Sequence, residues 1–336
     1  MGMMGWRQKA RIFPRRCIIF TGLIALLIVL FTLSLCLGDF PVTLMQVLAA
    51  LIGRGDETVA MVILEWRLPR SGVAILMGAA LGMSGAIFQS LFRNPLGSPD
   101  IIGFDAGAFT GATLALLAGY GFIGRMAGAL GAGALTSVAV YALAWKNGVQ
   151  GMRLILTGIG LGQLLAAVGQ WLLLSAEPET AVSVSVWAIG TLNGVETHQF
   201  FVTLGFAVVL VPVGIAQTRA LRQLELGDDV AQASGLAVER ARRRLVVTGG
   251  ALAALSTAVV GPIAFVALIA PQQARLFMHG SGVSPAAAGL VGAALLSSAD
   301  IAAQHLFGET QVPVGTVMLC LGGVWLLWML SAWKTG

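Results

Sequence analysis

The chain has 336 residues, 57% of them hydrophobic and 10% charged, with a mean hydropathy of +0.88. Soluble domains carry about 25% charged residues, and apolar runs of the length that crosses a bilayer recur along the whole sequence. This excludes a soluble globular protein, and the net charge of +5 is no sign of nucleic-acid binding, because basic residues in membrane proteins mostly set topology.

Residues 1–16 are basic and are expected on the cytoplasmic side. The apolar run at 17–37 is long enough to span and lacks a small-residue cleavage site, so it reads as a retained first helix rather than a secretory signal. The pattern predicts an all-α polytopic membrane protein with one transmembrane domain over 17–333. Ten apolar segments are expected, near 17–37, 71–92, 99–119, 122–144, 154–175, 200–217, 245–260, 263–274, 285–304 and 315–333. The eighth is short, with Gly261-Pro262 before it and Pro271 inside it. Such segments line a cavity or pack inside the protein.

With the N-terminus inside, alternation leaves four basic residues outside, Arg54, Arg67, Arg70 and Arg125, and puts the other 16 of 20 inside. That bias fits a protein whose two termini are cytoplasmic. Trp6, Trp66, Trp145 and Trp333 fall near interfaces, Lys146 and Lys334 inside, and Glu309 on an acidic outer side.

The stretch Glu65 to Ala108 concentrates the unusual features. Arg67 and Arg70 flank Leu68-Pro69 at the outer mouth. They either pair with Glu65 or snorkel to headgroups, or they present positive charge to a partner outside. Gly78, Gly82 and Gly85 share one helix face, which lets a neighbouring backbone come close. The motif Gly78-Ala79-Ala80-Leu81 recurs as Gly292-Ala293-Ala294-Leu295, but the copies would run in opposite directions and define no internal repeat. At the inner end Arg93-Asn94-Pro95-Leu96 makes a sharp turn. Ser98, Pro99 and Asp100 then carry the signals of a helix start. Asp105 and Asp300 are intramembrane carboxylates, which mark a pathway or a buried pair.

The longest inside loop, 218–244, holds six arginines among Glu225, Asp228, Asp229 and Glu239. A short helix is predicted over 229–234, capped by Asp228 and stopped by Gly235. It is too short to stand alone in water, so the loop either lies on headgroups or docks a cytoplasmic partner. The sequence has no GxxxxGK[ST] and no HExxH; His198, His279 and His305 are isolated, and Cys17, Cys36 and Cys320 lack metal-ligand spacing. No catalytic or metal-binding residue is expected.

A collinear series of motifs runs from about residue 60 to the C-terminus. It comprises Arg67-Leu68-Pro69-Arg70, Gly78-Ala79-Ala80-Leu81, Ser84-Gly85-Ala86, Gln89, Arg93-Asn94-Pro95-Leu96, Gly103 and Gly107-Ala108. It continues through Gly227-Asp228, Ala231, Gly235, Gly261-Pro262-Ile263, Phe265-Val266, Leu268, Pro271, Ala274-Arg275, Ala299-Asp300 and Pro313-Val314-Gly315. The series resembles the FecCD-type permeases, the membrane subunits of type II ABC importers for ferric siderophores, haem and vitamin B12. Glu65-Trp66-Arg67 and Ile87-Phe88-Gln89-Ser90-Leu91 look most like ferric-enterobactin permeases of the FepG kind.

The resemblance implies ten transmembrane helices and a permease subunit of the bacterial inner membrane, carrying ferric enterobactin or a similar catecholate. A haem or cobalamin permease is the alternative within the class; outside it stands an ion-coupled secondary transporter using Asp105 and Asp300. The implied partners are a second permease subunit, paralogous or identical, two ABC ATPase subunits that bind ATP and Mg, and a periplasmic or lipid-anchored siderophore-binding protein. No cofactor is implied in this chain. Arg67 and Arg70 would meet the binding protein, and Asn94, Pro95 and Leu96 would form a cytoplasmic gate. Leu226, Gly227, Asp228, Ala231, Gly235 and Leu236 would couple to the ATPase. Three positions depart from the pattern. Gln304 stands where many members have a third docking arginine, Gln272 where many have His, and Ser234 where Leu is usual.

Overall fold

The regular elements of this computed structural model are all helices, and it describes residues 3–100, 103–145, 151–278, 282–306 and 312–333. Lys146, His279, Glu309, Lys334 and the side chains of Trp6 and Trp333 lie outside the described residues. In chain order the helices are α1 (Met3–Cys36), α2 (Leu44–Leu51), α3 (Glu57–Met61), a π-helical stretch (Val62–Arg67), α4 (Leu68–Phe92), α5 (Phe104–Leu117), α6 (Phe122–Ala144), α7 (Gly151–Leu174) and α8 (Pro178–Ala188). There follow α9 (Thr197–Ala216), α10 (Thr218–Glu225), α11 (Asp228–Ala233), α12 (Val238–Val260), α13 (Val266–Phe277), α14 (Pro285–His305) and α15 (Val314–Trp333).

Each of the ten expected apolar segments carries a helix. Seven helices among the described residues are long and apolar enough to cross a membrane, while Phe104–Leu117 and Val314–Met329 are shorter apolar helices. Length and composition therefore support seven spans and do not establish ten. The seven divide by burial. The apolar windows of α4, α12 and α14 are 83%, 78% and 67% buried, against 17%, 33%, 22% and 17% for α1, α6, α7 and α9. The first three are the core of the bundle, and the latter four are its rim.

Small residues explain the core. A side chain at Gly78 would strike the backbone of Gly292, one at Gly82 the carbonyl of Ala288, and one at Gly85 the carbonyl of Ala267. The glycine face of α4 thus admits α14 and α13 at backbone distance, as the sequence predicts. Around these contacts Met77, Leu81, Phe88 and Phe104 are fully buried.

Two helix starts differ from the sequence reading. Helix α5 begins at Phe104 after a left-handed Gly103 (φ 77°) rather than near Ser98. The intervening turn satisfies itself: the Leu96 amide donates to Asn94 Oδ1, and the Gly97 amide to the Asn94 carbonyl. Helix α11 spans Asp228–Ala233, and its N-cap is Gly227 (φ 114°), not Asp228. The Asp228 carboxylate does not cap because two arginines hold it.

Candidate functional site

The mouth expected to face outward is built where α3 passes into α4. Pro69 has no N–H to give the Glu65 carbonyl, and its ring would crowd that carbonyl in a regular α-helix. The chain widens instead into a π-helical turn over Val62–Arg67, a device that re-aims neighbouring side chains. Arg67 turns back to the end of α1. Its Nη1 donates to the carbonyls of Leu35 (2.8 Å) and Cys36 (3.2 Å), and its Nη2 to that of Phe40 (2.6 Å). Carbonyls at a helix C-terminus lack intrahelical partners, and a cation there also complements the helix dipole.

Arg70 takes a different partner. Its Nε lies 3.2 and 3.1 Å from the two Asp300 oxygens, and its Nη2 2.9 Å from Oδ1. The two side chains are 15% and 2% exposed, so this is a buried ion pair. Gln304, one turn along α14, donates from Nε2 to Asp300 Oδ2 at 2.8 Å. The sequence reading offered Glu65 as an ion-pair partner; the observed partners are backbone carbonyls and Asp300. Asp300 is thereby a buried pair, and Asp105 accepts a hydrogen bond from the Thr257 hydroxyl (3.1 Å). Asp39, Trp66, Arg67, Arg70, Gln304 and His305 line a cavity of about 370 Å³ at this end.

The mouth expected to face inward lies at the other end of α4. The helix stops at Arg93, which is left-handed (φ 49°). Arg93 Nε donates to the Leu224 carbonyl (3.0 Å), and its Nη2 to Asp228 Oδ1 (2.7 Å). Asp228 Oδ2 accepts from Arg242 Nη2 (2.9 Å), and Arg242 Nη1 reaches Glu239 Oε1 (2.9 Å). Asp228 is therefore a bridge that ties α11 to the end of α4 and to α12. A second tie joins Glu225 Oε1 to the Ser90 hydroxyl (3.0 Å) and to Arg275 Nη2 (2.8 Å).

The gate candidates divide. Asn94 and Pro95 line an inner cavity of about 310 Å³ with Gln89, Arg93, Glu225 and Arg275, and Leu96 is absent from its lining. Gln272 donates to the Pro95 carbonyl at 2.7 Å. Among the coupling candidates Ala231 is fully buried. Gly227 and Gly235 hold left-handed turns at φ 114° and 85° on either side of α11. Leu236 packs on the cluster beneath. Leu226 and Val230 are 68% and 50% exposed, an apolar pair left facing outward. The Ser234 hydroxyl donates to the carbonyls of Val230 and Ala231.

The sequence reading missed Glu225 and Arg242 as structural partners. The only local signal was Glu239-Arg242 at helical i,i+3 spacing. Replacing Asp228 with Ala removes two ion pairs whose partly exposed groups discount their worth, and stability is expected to fall by about 1–2 kcal/mol. A lower melting temperature of the solubilised chain reads this. Asp229→Ala should leave it unchanged, because Asp229 is exposed.

A bundle of apolar helices with a cavity at each end of one buried helix, and a short helix near one of those ends that leaves Val230 exposed, has the layout of a transport subunit. The chain belongs to the FecCD transport family, whose model matches residues 26–332. It is 44% identical to the ferric enterobactin transport system permease protein FepG of Escherichia coli over 85% of this chain and 87% of that one. The achromobactin transport system permease protein CbrC of Dickeya dadantii is 36% identical, over 91% of this chain and 90% of that one. The vitamin B12 import system permease protein BtuC of Klebsiella pneumoniae is more distant, at 32% over 92% of each. A solved chain described as an inward-facing conformation of a metal-chelate type ABC transporter superposes with a TM-score of 0.84 at 26% identity, covering 95% of this chain and 99% of that one. This chain is a permease subunit and not an enzyme.

Proposed function

We propose that this chain is the transmembrane permease subunit of an ATP-driven importer for ferric siderophores, carrying ferric enterobactin or a similar catecholate. The observation that carries the reading is the mechanical continuity of α4. One continuous, largely buried helix joins the arginine-lined outer cavity to a turn that Arg93 and Asp228 bolt onto α11. A push on α11 is thereby delivered to the inner cavity. The 44% identity to a ferric enterobactin permease supports the substrate class over cobalamin.

In this reading a second permease subunit, paralogous or identical, completes the path. Two ABC ATPase subunits bind ATP and Mg, and one of them seats on α11 and the turn before it through Val230 and Leu226. A periplasmic or lipid-anchored binding protein docks at the outer cavity. The chain sits in the inner membrane with both termini cytoplasmic. Asn94 and Pro95 act as the gate, with Leu96 beside them. An ion-coupled mechanism finds less support, because Asp300 is neutralised by Arg70 and Asp105 is bonded to Thr257.

Cells that depend on this chain for iron should grow on ferric enterobactin and not on haem; the reverse pattern would refute the substrate. The docking role needs a variant that leaves no unpaired charge in the buried site. Arg70→Gln combined with Asp300→Asn removes both charges and keeps hydrogen-bonding groups in place. Binding-protein affinity for the assembled transporter is expected to fall about tenfold, the loss of one charge-complementary contact. Unchanged affinity would remove Arg70 from the docking surface.

A further inference from the structure

The inner end of α12 carries a feature that neither gate nor coupling uses. Arg240, Arg243, Arg244 and Val247 follow i, i+3, i+4, i+7 spacing and so share one helix face. The three arginines are exposed, and none makes an ion pair or hydrogen bond within the described residues. The nearby acids are already engaged: Asp228 and Glu239 are held by Arg242, on another face of the same helix. Opposite the arginines stands the end of α9, with Val213 and Ala216. The two helices enclose an open groove of about 670 Å³, within the size range of ligand sites.

This groove is amphipathic along its length. Its cationic part lies at the inner end, where the arginines are. Its apolar part, Val213, Ala216 and Val247, continues onto the outward side of α9, where Val208 and Val209 are exposed and only 17% of the apolar window is buried. A soluble anion would use the arginines and leave the apolar walls wet. A phospholipid matches both, with its phosphate among the guanidiniums and an acyl chain along α9. Basic pockets between transmembrane helices on the cytoplasmic side bind anionic head groups.

We infer that the groove between α9 and α12 is a binding site for an anionic phospholipid of the cytoplasmic leaflet, with Arg240, Arg243 and Arg244 holding the head group. The inference rests on the inner-side placement of loop 218–244, and not on the identity of the transported chelate.

The test uses the full-length chain, purified in detergent and stripped of lipid, with binding of phosphatidylglycerol and phosphatidylcholine followed by native mass spectrometry. Phosphatidylglycerol is expected to bind at least about tenfold more tightly, since each basic residue near an anionic surface adds to the attraction. The triple change Arg240→Gln, Arg243→Gln, Arg244→Gln should abolish the preference. Val247→Glu, which leaves every arginine in place, should weaken it as well, and this keeps the test open if the triple variant does not fold. Inorganic phosphate at millimolar concentration should not displace the lipid. Equal binding of the two lipids, a preference that survives either variant, displacement by phosphate, or release on adding the ATPase subunits would overturn the assignment.

Discussion

Asp300→Ala is expected to lower the stability of the chain by about 3–5 kcal/mol, the range for removing one partner of a buried ion pair. Arg70 is 15% exposed and Asp300 2%, so the guanidinium would be left largely buried without its counter-charge once the carboxylate is gone. Gln304 would lose its acceptor on the same carboxylate. The loss should appear as a large drop in the melting temperature of the solubilised protein, or as failure to accumulate in the membrane. Asp300→Asn keeps an acceptor and should cost less. A paired Arg70→Met, Asp300→Leu variant replaces both charges with apolar groups of similar volume, and it should recover most of the stability. If Asp300→Ala melts like the parent, the pair does not hold α14 to α4.

Gly85→Val is the second change with a large expected effect, about 3 kcal/mol. A Cβ at this position meets the carbonyl oxygen of Ala267, and the carbonyl carbon behind it at 2.6 Å. The obstacle is backbone, so no rotamer change can relieve it; α13 would have to move off α4. The measurement is the yield of monodisperse chain by size-exclusion chromatography after extraction, with Gly131→Ala as control. Gly131 has open space at its Cβ position, and Ala favours helix there by a few tenths to about 1 kcal/mol. Equal yields from the two variants would mean that α4 and α13 are not packed at backbone distance.

The apolar segments, the glycine face and the inner turn were legible because each is a local signal of period, residue size or turn chemistry. The Arg70–Asp300 pair was not, since its members lie 230 residues apart. Yet the signal was present in the recurring Gly-Ala-Ala-Leu motif. Its two copies are not a repeat; they are the two sides of one contact, with Gly78 against Gly292. Eight residues back from Gly78 is Arg70, and eight forward from Gly292 is Asp300. In an antiparallel helix pair those positions face each other. Reading the motif as a packing register would have predicted the pair and corrected the choice of Glu65.

The helix starts were misplaced for a different reason. Capping rules count only local competitors, whereas Asp228 is claimed by Arg93 and Arg242 from two other elements. The departures from the family pattern also gained physical content. Gln304 buttresses Asp300, and Gln272 ties α13 to the turn after α4 at Pro95. Both glutamines donate to a partner inside the same chain and add no charge.

The central claim is that α4 links an outer docking cavity to an ATP-driven push on α11. Uptake of radioiron-labelled ferric enterobactin into proteoliposomes tests it most directly, with this chain reconstituted beside the proposed second permease, ABC ATPase and siderophore-binding protein. The account predicts uptake that requires both ATP and the binding protein, persists when the proton gradient is collapsed, and is lost in Asp228→Ala while ATP hydrolysis continues. Uptake that proceeds without the ATPase and follows an imposed proton gradient would contradict it.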